Sequence, residues 1–200
     1  MMRAPILFSV LLLGGCISLL PEPPPAPRVF ALESGDVAPL VQPGPVDAVI
    51  AVGPPAGERA ILGTDLVWRT GDELAFVAQT QWSTRAEFAL QSMLVETLAR
   101  QGGFRAATRS GDGRADYEIR WEVLDFQIAQ DSMTARFVAD IRIVRAPGRR
   151  IVAQRIISAE APVASRSSAV AAQALTRAAR EGSARIAAFA TEAAAENPPE

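Results

Sequence analysis

The stretch YEIRWEVLDFQIAQDSMTARFVADIRI, residues 117–143, decides the fold. Tyr117, Ile119, Trp121 and Val123 alternate with Glu118, Arg120 and Glu122, the period of a strand with one face on a core and the other in water. The phase then slips by one residue, to Leu124, Phe126 and Ile128. Past a turn at Asp131-Ser132, a second strand offers Ala135, Phe137, Ala139, Ile141 and Ile143. An antiparallel pairing that sets Phe126 opposite Phe137 and Ile128 opposite Ala135, and then Val123 opposite Ala139, Trp121 opposite Ile141 and Ile119 opposite Ile143, keeps the apolar residues on one face. Val123 and Leu124 then share Ala139, the two-against-one count of a β-bulge.

Outward from this hairpin the periodicities alternate. A third strand, Ile151–Ala159, follows the Ala146-Pro147-Gly148 turn, with its register open. Residues 165–193 are Ala-rich and helical, with Ala171, Leu175, Ala178, Gly182, Ile186 and Phe189 along one stripe. Upstream, Arg28–Glu33 and Asp47–Gly53 read as strands, the second closed by Pro54-Pro55. Leu66-Val-Trp-Arg69 and Leu74-Ala-Phe-Val77 flank the turn signal Thr70-Gly71-Asp72-Glu73 and make a short hairpin. Thr84-Arg-Ala-Glu87 matches a capping box, and the helix it opens runs to about Arg100, with Leu90, Met93, Leu94 and Leu98 on one side and Gly102-Gly103 beyond its end. The expected architecture is α+β: an antiparallel or mixed sheet covered on one face by two helices, forming a single domain over residues 28–193. The Gly35–Pro45 loop and the tail 194–200 read as unstructured, the tail as disordered.

The N-terminus carries an address. Met1-Met2-Arg3, a short apolar run and Leu13-Gly-Gly-Cys16 describe a secretory signal peptide over residues 1–15. The apolar run is shorter than the ~20 residues needed to cross a bilayer. Leu-Gly-Gly-Cys resembles the bacterial lipobox, in which the cysteine receives a diacylglycerol and becomes the new N-terminus. Cys16 is the only cysteine in the chain, so no disulfide competes for it. Residues 16–27 follow as the lipidated cysteine and a tether ending Pro21-Glu-Pro-Pro-Pro-Ala-Pro27. Proline at this density prefers polyproline II, and Ile17–Pro27 spans ~30 Å at ~3.1 Å per residue. Ile17 stands where inner-membrane lipoproteins of enteric bacteria commonly carry Asp, which favours the outer membrane.

Composition narrows the chemistry. The chain has no histidine, and every one of its 20 basic residues is arginine. This removes Ser-His-Asp and Cys-His catalysis, imidazole-ligated zinc, lysine Schiff bases and the P-loop lysine. A formal charge of −2 lacks the basic footprint of a nucleic-acid binder. Glu118 and Glu122 share a strand face about 13 Å apart at ~3.3 Å per residue, too far for a glycosidase pair. With Arg120, Arg136 and Arg142 on or near that face, they read as a solvated charge ladder. Asp112-Gly-Arg-Ala-Asp116 lacks the oxygen ligands of a calcium loop and reads as a turn, so no metal is expected. No catalytic residue and no cofactor beyond the covalent lipid on Cys16 is expected. Trp68, Arg69 and Trp82 are left as candidate partner-binding residues, because interfaces concentrate energy in Trp, Tyr and Arg anchors; core packing is the other role for each indole, since Trp is highly buried on average.

The order of these features is that of a family. Lipobox, Pro-rich tether, Arg28-Val-Phe-Ala-Leu32, Val49-Ile-Ala-Val-Gly-Pro-Pro55, Asp65-Leu-Val-Trp-Arg69, Leu74-Ala-Phe-Val77, Gln81-Trp-Ser83 and the Leu-rich helix together resemble the ABC-type transport auxiliary lipoproteins, the paraquat-inducible C-type group. These are encoded beside mammalian-cell-entry (MCE) proteins. The resemblance covers Cys16 to about Ala190, with Phe30 and Trp68 where the family usually shows Tyr. It implies a non-enzymatic accessory of a lipid transport system, anchored on the periplasmic face of the outer membrane and docking the periplasm-spanning MCE protein. Oligomeric state stays open. Two other readings stay open beside it: a lipoprotein that carries an apolar ligand in its own cavity, and a structural envelope assembly lipoprotein. Only 11 aromatic residues follow Cys16, which argues weakly against a large pocket.

Overall fold

The computed structural model describes residues 25–36 and 44–199. The signal peptide, Cys16, most of the tether and residues 37–43 of the expected loop lie outside the described residues. The fold is built around one long strand, β7 (Tyr117–Ala129), which the hairpin pairs with β8 (Thr134–Arg145). The pairing is the one the alternation dictates: Phe126 opposite Phe137, Ile128 opposite Ala135, Val123 opposite Ala139, Trp121 opposite Ile141, Ile119 opposite Ile143. The bulge falls where the phase slips, between Val123 and Asp125. One detail differs: Leu124 does not face the core. It has no partner across the ladder, because Val123 pairs Ala139 and Asp125 pairs Val138, and it is left 48% exposed.

β9 (Arg150–Pro162) adds antiparallel to β8, with Ala139 opposite Ile157 and Ile143 opposite Ala153. On its other edge β7 is shared by three short parallel partners. β2 (Val46–Val52) pairs at Tyr117–Ile119, β3 (Ala56–Gly57) at Glu122–Val123 and β4 (Asp65–Thr70) at Ile128–Ala129. The chain thus climbs along β7 in three steps, leaving the ladder first at Gly53-Pro54-Pro55. β4 continues antiparallel into β5 (Glu73–Trp82), β1 (Arg28–Phe30) lies parallel to the end of β5, and β6 (Phe104–Arg109) lies parallel to β2. The described residues form one mixed nine-stranded sheet. β6 is absent from the sequence reading because only its first residue, Phe104, is buried, so no alternation marks it.

A one-turn helix, α1 (Arg59–Leu62), seals the gap between β3 and β4 with buried Ile61 and Leu62. Two long helices cover one face of the sheet: α2 (Ala86–Gln101), which links β5 to β6, and α3 (Ser168–Glu196), which packs on β8, β9 and α2. The α+β architecture expected from sequence is the one formed. The expected stripe of α3 is buried throughout, and Gly182 sits where the helix meets Phe137. A Cβ at Gly182 would lie 2.2 Å from Cδ1 of that ring, so only glycine admits the contact.

Two local expectations are corrected. The Thr84–Glu87 capping box does not form: α2 starts at Ala86, Glu87 pairs with the Arg85 guanidinium at 2.8 Å, and the Ala86 N–H donates to Gly63 O at 2.8 Å. The first N–H of the helix is satisfied instead by a backbone carbonyl from the α1–β4 turn. The start of the 194–200 tail is not disordered either. α3 runs on to Glu196 with Ala193 and Ala194 buried, and Asn197 O accepts from the Tyr117 hydroxyl and from Arg145 Nη2 at 2.9 Å. These anchors lie 80 and 52 residues upstream, outside the reach of a local pattern.

Candidate functional site

The β4–β5 hairpin joins a buried strand to an exposed one: Leu66, Val67 and Trp68 of β4 are buried, whereas residues 73–79 of β5 are not. Its two-residue turn at Gly71-Asp72 places Thr70 opposite Glu73, Arg69 opposite Leu74, Trp68 opposite Ala75 and Val67 opposite Phe76. Beyond Phe76 the ladder breaks and resumes only at Asp65–Gln81, so β5 swells outward over residues 77–80. Gln79 takes φ 51° there, a conformation non-glycine residues rarely adopt. The result is an exposed arm, the first part of β5, lying along a β4 that stays paired with β7 at Trp68 and Arg69. Of β5 only Thr80 and Trp82 are buried, while Leu74 (37%) and Phe76 (58%) are exposed.

The two indoles form the root of this arm rather than its surface. Trp82 stacks on Phe126 at 6.1 Å between ring centres and is 3% exposed; Trp68 is 9% exposed, against Ile128 of β7. Both indoles thus take the core-packing role open to them in the sequence reading: their large apolar area fills the core beneath the hairpin. Arg69 is the one candidate of the three that reaches solvent. Its Nε donates to Gly71 O at 2.8 Å and its Nη2 lies 3.8 Å from Asp72.

Next to the arm, α2 begins. Phe88 is 48% exposed, with the Arg85 guanidinium 5.7 Å from its ring centre. Between arm and helix start lies a concavity of about 590 Å³ lined by Arg59, Asp65, Phe76 and Arg85. Phe76 and Phe88 were missed in sequence, although each left a signal. Leu74-Ala-Phe-Val-Ala78 is apolar on both strand faces, and Phe88 lies off the Leu90–Leu98 stripe.

The outer face of β7–β8–β9, opposite the helices, is ionic. Glu118 pairs with Arg120 at 2.8 Å, Asp140 with Arg142 at 2.5 Å and Glu160 with Arg136 at 3.2 Å. Asp125, 3.8 Å from Nη1 of Arg136, is more deeply placed. Burial pushes its carboxyl above the ordinary range, opposed by the fields of Arg136 and Arg69, and its Oδ1 has no hydrogen-bond partner. Asp116 of the Gly-rich turn accepts from the Val49 N–H at 2.7 Å and so ties β7 to β2. Among the described residues no three His, Cys, Asp or Glu side chains are placed to hold a metal ion. The carboxylates of this face and of the turn serve as structural contacts, and the arm with the α2 start places Phe76 and Phe88 in water on two adjoining elements.

The family of ABC-type transport auxiliary lipoprotein components matches residues 30–187. The chain belongs to that family. The auxiliary lipoprotein fold is also that of a crystal structure of a Xanthomonas campestris protein assigned to the family DUF330, which is 20% identical with a TM-score of 0.78 over 85% of this chain and 98% of that one. A second crystal structure, of an uncharacterized protein, is 14% identical with a TM-score of 0.66 over 82% of this chain and 99% of its own. The PelC dodecamer of Paraburkholderia phytofirmans aligns loosely, at 15% identity and a TM-score of 0.47 over 75% of this chain and 94% of that one. No curated protein matches the chain. Membership makes this auxiliary lipoprotein a component of ABC-type transport associated with a transporter, and through its lipoprotein character with a membrane. The matched span begins in β1 and ends in α3, so it takes in the arm, the α2 start and the whole helical cover.

Proposed function

We propose that this auxiliary lipoprotein is a non-enzymatic accessory of an MCE-type lipid transport system, held on the periplasmic face of the outer membrane by the diacylglycerol and acyl chains of Cys16. Residues 17–27 act as a stiff spacer, and the domain docks the periplasm-spanning MCE protein. The observation that carries the docking is the arm, which keeps Phe76 58% and the adjoining Phe88 48% exposed on a domain that otherwise buries its aromatic side chains well. Large apolar side chains grouped in water mark interaction surfaces. A lipid anchor with a ~30 Å spacer is useful to a domain that must reach something standing off the membrane.

The test is capture of the neighbouring MCE protein by wild type, Phe76→Ala and Phe88→Ala. Loss of an aromatic anchor costs ~2 kcal/mol or more, about thirtyfold in affinity. Both side chains are exposed, so circular dichroism and melting are expected to stay unchanged within roughly 0.5 kcal/mol. Equal capture by all three proteins moves the interface elsewhere; no capture by wild type removes the docking reading. Trp68→Ala and Trp82→Ala are poor probes, since emptying a buried indole site costs ~3–5 kcal/mol of fold stability.

A further inference from the structure

We propose that the free edge of β5, residues 73–79, takes up an extended segment of the docked protein as an added β-strand; this deepens the docking reading and rests on it. β5 has β4 on one side. On the other, β1 covers only Thr80–Trp82, and no described strand pairs residues 73–79. In an antiparallel hairpin closed by a two-residue turn, the pair next to the turn exchanges its hydrogen bonds and the following pairs alternate. Thr70–Glu73 is that closing pair, so Arg69–Leu74 and Val67–Phe76 are the wide pairs. Leu74 and Phe76 therefore turn their own N–H and C=O groups away from β4, toward the open side. Leu74 and Phe76 also carry the exposed large apolar side chains of β5. Edges of this kind are templates for another strand, and natural proteins blunt them with charge, proline or a bulge. Residues 74–76 carry neither charge nor proline, and the irregularity of β5 begins only beyond Phe76.

Two occupants from this chain itself are disfavoured. β1 runs parallel to β5 with Arg28 opposite Thr80, and continuing that register would set residues 21–27 beside 73–79. Five of those seven are proline, which brings no N–H to a ladder. A second copy fits no better. Two-fold antiparallel pairing about Phe76 sets Glu73 opposite Gln79 and leaves the acidic tip, Asp72 and Glu73, without a cation across the interface. Parallel pairing sets Glu73 against Glu73. A strand of seven residues also falls well short of the ~1,200 Å² that a stable dimer buries. The fitting occupant is an extended, proline-free segment of a different protein, with apolar side chains at alternate positions for Leu74 and Phe76 and a basic residue beside the tip. Such strand addition draws affinity from main-chain bonds and specificity from alternate side chains. Anchoring both partners in one envelope raises the effective concentration enough for a short strand to suffice.

The experiment is amide hydrogen exchange on the auxiliary lipoprotein, free and bound to the MCE protein of the capture assay, together with capture by Leu74→Ala and Leu74→Pro. Proline is tolerated where an edge N–H faces water, so both variants are expected to fold, which circular dichroism checks. Binding is expected to slow exchange of the Leu74 and Phe76 amides at least tenfold, with Ala75 already slow in the free protein. Leu74→Pro is expected to bind at least tenfold more weakly than Leu74→Ala. Capture with no new protection at Leu74 and Phe76, or equal capture by the two variants, overturns strand addition and leaves docking standing. No capture by wild type overturns docking, and strand addition with it.

Discussion

Gly182→Ala tests the packing on which the helical cover depends. In a helix interior this change normally stabilises by ~1 kcal/mol, because alanine loses less backbone entropy than glycine. Here the added methyl would sit 2.2 Å from Cδ1 and 2.5 Å from Cε1 of Phe137, far inside van der Waals contact. The ring has little room to retreat: Phe137 is fully buried and meets Phe126 edge-on at 6.4 Å, and Phe126 is in turn stacked on Trp82. Relief requires α3 to lift or the aromatic row to shift, and overpacking of this kind costs ~1–3 kcal/mol. Clash outweighs propensity, for a net loss of up to ~2 kcal/mol. At roughly 2–4 °C per kcal/mol for a chain of this size, Tm falls by up to about 8 °C. Thermal and urea unfolding of a form lacking the signal peptide and Cys16 measures it. In a Phe137→Leu background the cost of Gly182→Ala should shrink by more than ~0.5 kcal/mol, since the two residues touch. A rise in Tm for Gly182→Ala, or strict additivity of the pair, would refute the packing argument.

Three further outcomes are expected. Cys16→Ser yields an unprocessed or soluble protein in detergent partitioning, and mass spectrometry of wild type finds a lipidated N-terminus at Cys16; a lipid-free mature form beginning elsewhere removes the anchor. Deleting Leu124 leaves Val123, Asp125 and Phe126 in strict alternation opposite Ala139, Val138 and Phe137, so it costs less than ~1 kcal/mol, whereas deleting Gln127 turns Ile128 off the core and costs ~2–5 kcal/mol; similar melting curves for the two deletions would show the register is not held as described. Asp125 governs part of the acid profile. Burial outweighs Arg136, Arg69 and the Gln127 hydrogen bond, so the folded protein holds the Asp125 proton more tightly than the unfolded chain does at the ordinary value of 3.8. Its contribution to stability is greatest below that value and is lost as pH rises through the raised folded one. Asp125→Asn should flatten this segment of a stability-versus-pH curve, and an unchanged slope would place the buried carboxyl outside the titration.

Trp68, Arg69 and Trp82 drew attention to the β4–β5 hairpin, with core packing the other role open to each indole, because a tryptophan beside a turn reads the same in sequence whether it faces the core or the solvent. Which way each indole points depends on β7 lying beneath, with Ile128 against Trp68 and Phe126 against Trp82. The exposed aromatics, Phe76 and Phe88, stand out only once their exposure among the described residues is known.

Residues 117–143 by themselves determined the β7–β8 ladder, its register and its bulge, because a hairpin's partners are neighbours in the chain and one buried face fixes the phase. The stripe of α3 was equally local, since every third or fourth small residue had to meet the sheet. The absence of histidine and lysine likewise excluded whole reaction classes without any geometry. The tertiary structure decided what periodicity does not encode. Three parallel strands share the second edge of β7, and parallel partners are joined by long crossovers, so no turn announces them. The tail is held by Tyr117 and Arg145 from far upstream. Burial of Trp68 and Trp82 and the open edge of β5 both follow from which strands are absent or present at a given place in the sheet. That is a property of the assembled chain, because alternation records which side of a strand is apolar and not what lies along its edge.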